Sequence, residues 1–198
     1  MTSDTRKLVL ATHNAHKVVE LRRILGDQLD GIELVGYDGP EPVEDGETFA
    51  ENAIIKARAA AAHTGLPAIA DDSGICVSAL GGEPGIGSAR YAGTRDDADN
   101  YRLLLKNLAD AEDRSADFTC AAAFVDGDFE HAEVGVWPGS VLHEPVGAGG
   151  FGYDPIFRPK GLDVASAELT ADEKNAISHR SRAFAALMPF VRERLLAL

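Results

Sequence analysis

The amino-acid sequence predicts an α/β fold with a mixed β-sheet and flanking helices. Near the start of the chain, an apolar run is followed by an amphipathic helical pattern, which is typical of a βα unit. Between residues 116 and 142, apolar segments around a turn signal predict two or three antiparallel strands. The 198-residue chain is 45% hydrophobic, which is enough to bury the core of a single domain over 1–198 with two lobes.

The first half of the chain predicts two helices and two strands. The run "KLVLA" predicts a short buried strand, and "NAHKVVELRRILGD" predicts a helix that begins at the N-cap Asn14. After an acidic loop, Thr48 and Glu51 have the spacing of a capping box, and Gly65 favours the helix end. The segment "LPAIADDSGICVSAL" predicts a strand that is broken near Ser73 and Gly74 and then resumes.

The rest of the sequence predicts two glycine-rich loops among helices and strands, and the first of these loops is expected to be functional. The segment "GGEPGIGSARYAG" is too rich in Gly and Pro for regular structure, whereas residues 96–109 predict a helix. The antiparallel strands turn near Asp126. A second glycine-rich loop, "GAGGFGYDPIF", precedes a short helix capped by Thr170 and a terminal helix that Pro189 interrupts or kinks.

The charge and the composition exclude several classes of protein. A formal net charge of -13 argues against broad binding to DNA or RNA, because such binding depends on a basic surface. Small phosphorylated ligands remain compatible with it if cations are concentrated locally or carboxylates recruit a divalent metal. The chain has no long apolar run and no signal-peptide pattern at its start, so we expect a cytoplasmic location. Cys76 and Cys120 are predicted to be core side chains.

The turn "ATHNAHK" has the arrangement of an anion-binding site. A strand end, a polar turn and Lys17 in the first helical turn can together bind phosphate oxygens. Taken alone, the pattern favours an ordinary polar helix cap. His13 and His16 are interpreted as loop residues rather than metal ligands, because no further His or Cys lies at a ligand spacing.

Asp71 and Asp72 follow an apolar run, so their like charges need compensation. Successive residues of a strand point to opposite faces, and one of the two is expected to face a ligand. A divalent cation beside that carboxylate would relieve the repulsion, and the carboxylate could then activate water. The competing interpretation is a turn that ends the strand with Ser73 and Gly74.

Two further groups of residues allow two interpretations each. A basic cluster at the start of the last helix is either an anion site or a salt-bridged face; it comprises Lys174, His179, Arg180 and Arg182. Phe151 and Tyr153 either stack on a base or fill the space under their loop.

Taken together, the motifs resemble the non-canonical purine nucleoside triphosphate pyrophosphatases, also called inosine/xanthosine triphosphate (dITP/XTP) pyrophosphatases. The resemblance covers nearly the whole chain and rests on six motifs in the family's order. These are Thr12, Asn14 and Lys17 of T/S-x-N-x-x-K, Phe49–Ala53 of F-x-E-N-A, Ala70–Gly74 of A-D-D-S-G, Pro84–Tyr91 of P-G-x-x-S-A-R-Y/F, Gly149–Pro155 of G-G-F-G-Y-D-P and Ser178–Arg180 of S-H-R.

The resemblance implies an inosine triphosphatase-like fold with a long central mixed sheet, two lobes around a nucleotide cleft, a homodimer and dependence on Mg²⁺. It implies that Asp72 is the water-activating base and a magnesium ligand, with Glu44 as a second ligand. The substrate site that it implies comprises Thr12, His13, Asn14, Ala15, His16, Lys17, Ser73, Phe151, Gly152, Tyr153, Asp154, Lys174, His179 and Arg180.

The expected activity is hydrolysis of ITP, dITP and XTP to the monophosphate and pyrophosphate, which removes deaminated purines from the nucleotide pool. One alternative is a related pyrophosphatase for pyrimidine or modified nucleotides, which a panel of substrates would separate. The other is a non-catalytic nucleotide sensor, which Asp72 and Lys17 argue against.

Overall fold

The computed structural model describes residues 5–196, which form six strands and five α-helices joined by short 3₁₀ turns. The strands are β1 (Arg6–Leu10), β2 (Ile32–Gly36), β3 (Ala68–Val77), β4 (Ser115–Asp126), β5 (Phe129–Val141) and β6 (Phe157–Pro159). They form one sheet in the order β2-β1-β3-β4-β5-β6. Strand β1 runs parallel to both β2 and β3, whereas β5 and β6 are antiparallel. The predicted mixed sheet with flanking helices is confirmed.

The helices are α1 (Ala15–Leu25), α2 (Phe49–Thr64), α3 (Asp97–Asn107), α4 (Ala171–Ile177) and α5 (His179–Leu196). Their predicted starts are confirmed by side-chain caps. Asn14 Oδ1 accepts hydrogen bonds from the first turn of α1. Thr48 and Thr170 each form a complete capping box, at α2 and α4. Gly65 ends α2 in the left-handed conformation, which glycine adopts without a steric penalty. Within residues 5–196, no helix is both long enough and apolar enough to cross a membrane.

Strand β3 is continuous through Ser73 and Gly74, so the predicted break there is wrong. Glycine is required at position 74 for a different reason. A Cβ atom there would collide with the carbonyl oxygen of Gly85 and the hydroxyl of Ser88. The hydroxyl of Ser88 instead accepts the N–H of Ile75 at 3.0 Å. Gly74 therefore lets the 3₁₀ turn Gly85–Arg90 pack directly on the strand.

Helix α5 is also continuous through Pro189, so the predicted interruption is wrong, whereas the alternative of a kink at Pro189 stays a prediction. A proline inside a helix costs about 3 kcal/mol or more. The apolar face of α5 offsets this cost, because it buries one side chain per turn on both sides of the proline. These side chains are Phe184, Leu187, Met188, Val191 and Leu195.

The chain divides into two compact units. One comprises the chain up to Asp72, Cys120–Gly135 and the chain from Arg180 onward; the other comprises Ser73–Thr119 and Val136–His179. In the first unit, one core lies between the sheet and helices α1 and α5, and a second core lies under α2. The core of the second unit contains the only tryptophan of the sequence, Trp137. The prediction of one two-lobed domain over 1–198 stays a prediction.

The two cysteines are free thiols, of which Cys120 is buried in the first core and Cys76 is partly buried. The predicted core role is thus confirmed for Cys120.

Candidate active site

Adjacent carboxylates on β3 lie on opposite faces of the sheet. Odd-numbered Ile69 belongs to the core under α1 and α5, whereas Ala68 and Ala70 belong to the core under α2. By the same alternation, Asp71 faces α1 and α5, and Asp72 faces α2. The two charges therefore acquire separate partners and do not share a single ligand.

Asp71 is fully buried and holds two cations on one oxygen. Its Oδ2 accepts Lys17 Nζ at 3.0 Å and two guanidinium nitrogens of Arg180 at 3.1 and 3.2 Å. Burial acts to raise the pKa of Asp71, but Lys17 and Arg180 more than offset this and hold it well below its usual range. In the described part of the chain, the other oxygen, Oδ1, is buried and has no hydrogen-bond partner.

Arg180 is 1% exposed and lies between two carboxylates. In addition to its contact with Asp71, Arg180 donates from Nη1 to Glu20 Oε1 at 2.7 Å. Lys174 pairs with a different carboxylate, Asp154. Of the two interpretations of the basic cluster, these ion pairs favour the salt-bridged face for Lys174 and Arg180. Their role as substrate ligands stays a prediction.

Asp72 forms a second group with a lysine of α2. Lys56 Nζ lies 2.9 Å from Asp72 Oδ1 and 3.0 Å from Glu44 Oε2. Asn52 Nδ2 donates to Asp72 Oδ2 at 3.4 Å. Burial raises the pKa of Asp72; Lys56 offsets part of this rise, and Glu44 adds to it. A raised pKa makes Asp72 a better proton acceptor than an exposed aspartate.

The oxygen donors around Lys56 fit a divalent cation. Asp72 and Glu44 both direct a carboxylate oxygen at the same ammonium group, so a positive charge already lies between the two predicted magnesium ligands. Among residues 5–196, no set of three or more His, Cys, Asp or Glu side chains is placed to hold a metal. Two carboxylates fit Mg²⁺, which commonly binds one or two carboxylates and completes its shell with water and phosphate oxygens.

The predicted phosphate turn, residues 12–17, precedes and begins α1. Thr12 Oγ1 accepts the N–H of Asn14, and Asn14 Oδ1 accepts the N–H groups of His16 and Lys17. A phosphate at this helix end would therefore compete with Asn14 for those donors. His13 contacts the acidic loop instead, with Nδ1 3.3 Å from Glu41 Oε1. Ala15 and His16 are exposed.

In the second unit, Asp154 holds the glycine-rich loop. It is 1% exposed, and its Oδ2 accepts Lys174 Nζ at 2.7 Å and the N–H of Phe151 at 2.9 Å. Its Oδ1 accepts the hydroxyl of Ser166 at 2.8 Å. Asp154 therefore fixes the positions of Phe151 and Lys174, whose ammonium group lies 4.8 Å from the centre of the Phe151 ring.

Aromatic residues of the second unit have distinct positions. Tyr153 is 5% exposed and donates its hydroxyl to the carbonyl oxygen of Ser88 at 2.7 Å, so it fills the space under the loop. Phe151 is only partly buried. His179 is 4% exposed, and its ring stacks on that of Phe118, with 4.8 Å between the ring centroids and an angle of 11° between the ring planes.

The predicted site residue Ser73 is partly buried on β3.

Sequence reasoning missed Asn52, Lys56 and Glu20. Asn52 and Lys56 are four residues apart on α2 and so share a face, as Lys17 and Glu20 do at a spacing of three on α1. These helical spacings could have identified the three residues as candidates that share a helix face with a site residue or with each other. Their acidic or basic partners could not have been identified by spacing, because these partners are 12 to 160 residues away in the sequence.

A family model described as the Ham1 family matches residues 8–190. A protein of Leifsonia xyli subsp. xyli named dITP/XTP pyrophosphatase is 58% identical over 190 residues, which is 94% of this chain and 96% of that one. A protein of the same name from Streptomyces coelicolor is 54% identical over 198 residues, with 96% and 98% coverage.

Solved structures show the same similarity. A HAM1 protein from Coxiella burnetii has a TM-score of 0.86 and 43% identity, over 95% of this chain and 99% of that one. A dITP/XTP pyrophosphatase from Mycobacterium abscessus has a TM-score of 0.75 and 46% identity, over 94% and 100%.

Proposed function

The chain belongs to the Ham1 family, and on that premise we propose that it hydrolyses the purine triphosphates ITP, dITP and XTP to the monophosphate and pyrophosphate. The relatives at 58% and 54% identity carry the name dITP/XTP pyrophosphatase. The observation that carries the proposal is the pair of charge groups on β3, in which each aspartate is matched to its own lysine. Such an enzyme removes deaminated purine nucleotides from the nucleotide pool.

Lys17 is the proposed triphosphate ligand of the first group. Its ammonium group is held by Asp71, yet its side chain is still 15% exposed, whereas that of Asp71 is 0% exposed. A triphosphate can therefore reach Lys17 but not the carboxylate. Arg180 stays with Asp71 and keeps that buried charge compensated when Lys17 turns to a phosphate oxygen. Thr12, Asn14 and the neighbouring turn residues contribute polar groups beside it.

Asp72 is the proposed general base. It accepts a proton from the water that attacks the α-phosphorus, the bond between that phosphorus and the bridging oxygen breaks, and the electron pair leaves with pyrophosphate. Its raised pKa suits this role. Mg²⁺ bound by Asp72 and Glu44 would neutralise phosphate charge and lower the pKa of a bound water. Lys56 lies beside both carboxylates and adds a second positive charge for the phosphate oxygens.

Phe151 and His179 are the proposed contacts with the base. Phe151 can stack on a purine, and His179 can donate a hydrogen bond to the 6-oxo group. The 6-amino group of adenine is a donor, so a site of donors discriminates against ATP by roughly 10²–10⁵-fold. Arg180 already donates hydrogen bonds to Asp71 and Glu20. His179 and backbone N–H groups are therefore the better candidates for recognising the 6-oxo group.

Three finer properties belong to the same proposal. Dependence on Mg²⁺ is supported by the convergence of Glu44 and Asp72 on one cation. A cytoplasmic location is supported by the nature of the substrates, which belong to the nucleotide pool. We further propose a homodimer, as the family resemblance implies; sedimentation of the full chain tests it.

The decisive experiment measures pyrophosphate release from ITP, dITP, XTP, ATP, GTP and dUTP, with Mg²⁺ and with excess chelator. We expect turnover of the first three, loss of turnover with chelator, and weak turnover of ATP. The matched control is Asp126→Asn, which removes an aspartate charge from the end of β4 and is expected to leave turnover unchanged. Equal kcat/KM for ATP and ITP would contradict the proposed specificity, and preference for dUTP would favour the pyrimidine alternative.

A further inference from the structure

The glycine-rich loop that carries Phe151 has a fixed backbone shape. Gly150 and Gly152 have φ angles of 71° and 63°, which other residues rarely adopt. A Cβ atom on Gly150 would also collide with the carboxylate of Asp154. The loop conformation therefore depends on its glycines and on the groups that bind its N–H donors.

Both peptide N–H groups that flank the Cα atom of Phe151 donate to carboxylates. The N–H of Phe151 donates to Asp154 Oδ2 at 2.9 Å, and the N–H of Gly152 donates to Asp97 Oδ2 at 2.6 Å. Fixing both peptide groups restricts the φ and ψ angles of Phe151 and hence the direction of its Cα–Cβ bond, from which the ring projects. Asp154 lies inside the loop motif, whereas Asp97 is an exposed residue at the first position of α3, outside every motif quoted above.

We propose that Asp97 is a positioning residue that fixes the orientation of Phe151 for stacking on the purine. The proposal rests on the proposed function, because it concerns the base contact of that site. A hydrogen bond from an N–H to a charged carboxylate is stronger than a neutral one, and 2.6 Å is short for such a bond. Without Asp97, only one of the two peptide groups around Phe151 keeps a carboxylate partner.

The neighbouring residue provides a matched control. Asp96 is the N-cap of α3 and accepts the N–H of Asp99 at 2.9 Å. Replacing either aspartate by alanine removes one negative charge from the same helix end, but only Asp97→Ala removes the contact with Gly152. A third variant, Asp97→Asn, keeps an acceptor oxygen and loses the charge.

The test combines kinetics with an observation that does not depend on activity. For Asp97→Ala we expect the KM for ITP to rise about tenfold while kcat changes less than about threefold, because stacking contributes equally to the ground state and the transition state. We expect exchange of the Gly152 amide proton, followed by NMR, to become about tenfold faster. Asp97→Asn should lie between Asp97→Ala and the wild type, and Asp96→Ala should match the wild type in both measurements.

Either of two results would overturn the proposal: an unchanged KM and exchange rate in Asp97→Ala, or an equal rise in KM in Asp96→Ala. The second result would mean that the stability of α3 matters and the contact does not. If the wild-type protein does not hydrolyse ITP, the proposed function fails. The role of Asp97 in holding the loop is then decided by amide exchange alone.

Discussion

The Lys174–Asp154 pair provides a quantitative test of how burial determines the contribution of an ion pair to the free energy of unfolding. Lys174 Nζ lies 2.7 Å from Asp154 Oδ2, and the two side chains are 7% and 2% exposed. Replacing Lys174 by methionine leaves a buried carboxylate without this cation, which typically costs about 3–5 kcal/mol. Asp154 keeps hydrogen bonds from Phe151 and Ser166. We therefore expect the free energy of unfolding to fall by about 3 kcal/mol, the lower end of this range.

The measurement is urea unfolding followed by tryptophan fluorescence. Trp137 is the only tryptophan in the sequence, is 3% exposed, and belongs to the same compact unit as the ion pair. The control is Arg194→Met, which breaks a pair of similar length. Arg194 Nε lies 2.8 Å from Asp126 Oδ2, but these side chains are 51% and 30% exposed. We expect Arg194→Met to lower the free energy of unfolding by less than about 1 kcal/mol.

A double variant, Asp154→Asn with Lys174→Met, separates charge from packing. It leaves no unpaired charge, so it should be more stable than Lys174→Met alone. Burial does not determine the strength of these pairs if Lys174→Met and Arg194→Met lower the free energy of unfolding equally. The same conclusion follows if the double variant is less stable than Lys174→Met.

Three further predictions concern catalysis and packing. Asp72→Asn is expected to lower kcat by on the order of 10²–10⁴-fold, measured as pyrophosphate release from ITP by folded protein; turnover within tenfold of the wild type would contradict its role as the base. Gly74→Ala is expected to destabilise the protein by about 1–3 kcal/mol because its Cβ would collide with Gly85 and Ser88, whereas Gly87→Ala, which has open space, should change the urea midpoint little. Hydrolysis in ¹⁸O-labelled water should place the label in the monophosphate, as mass spectrometry would report; label in pyrophosphate would move the attack to the β-phosphorus.

Local sequence patterns predicted the helix starts well. The capping boxes at Thr48 and Thr170 and the Asn14 cap involve groups two or three residues apart, so the sequence alone contains both partners. Gly74 shows the opposite case. Glycine in a strand suggested a break, but the constraint comes from the turn at Gly85 and Ser88, which no local pattern connects to it.

The same distinction holds for the candidate site. Alternation along a strand predicted that Asp71 and Asp72 diverge, because it depends only on strand geometry. That Asp71 meets Arg180, and that Lys56 lies between Asp72 and Glu44, depends on tertiary contacts that spacing does not encode. The basic residues near α5 were grouped because they are close in sequence, yet two of them, Lys174 and Arg180, pair with separate buried carboxylates that sequence spacing does not indicate.

The alternation of Asp71 and Asp72 makes this part of β3 sensitive to changes in length. Inserting one residue ahead of Asp71 would move Asp71 to the position beside Lys56 and leave Lys17 and Arg180 without an aspartate. Deleting one residue would move Asp72 to the position beside Lys17 and Arg180 and leave Lys56 without one. A two-residue change would restore the faces but shift both carboxylates by roughly 6–7 Å along the strand, beyond hydrogen-bond reach of their lysines. Insertions and deletions in this part of the strand are therefore incompatible with keeping both charge groups. Loops such as the acidic segment before α2 are where the chain can vary in length, provided that Glu44 keeps its place beside Lys56.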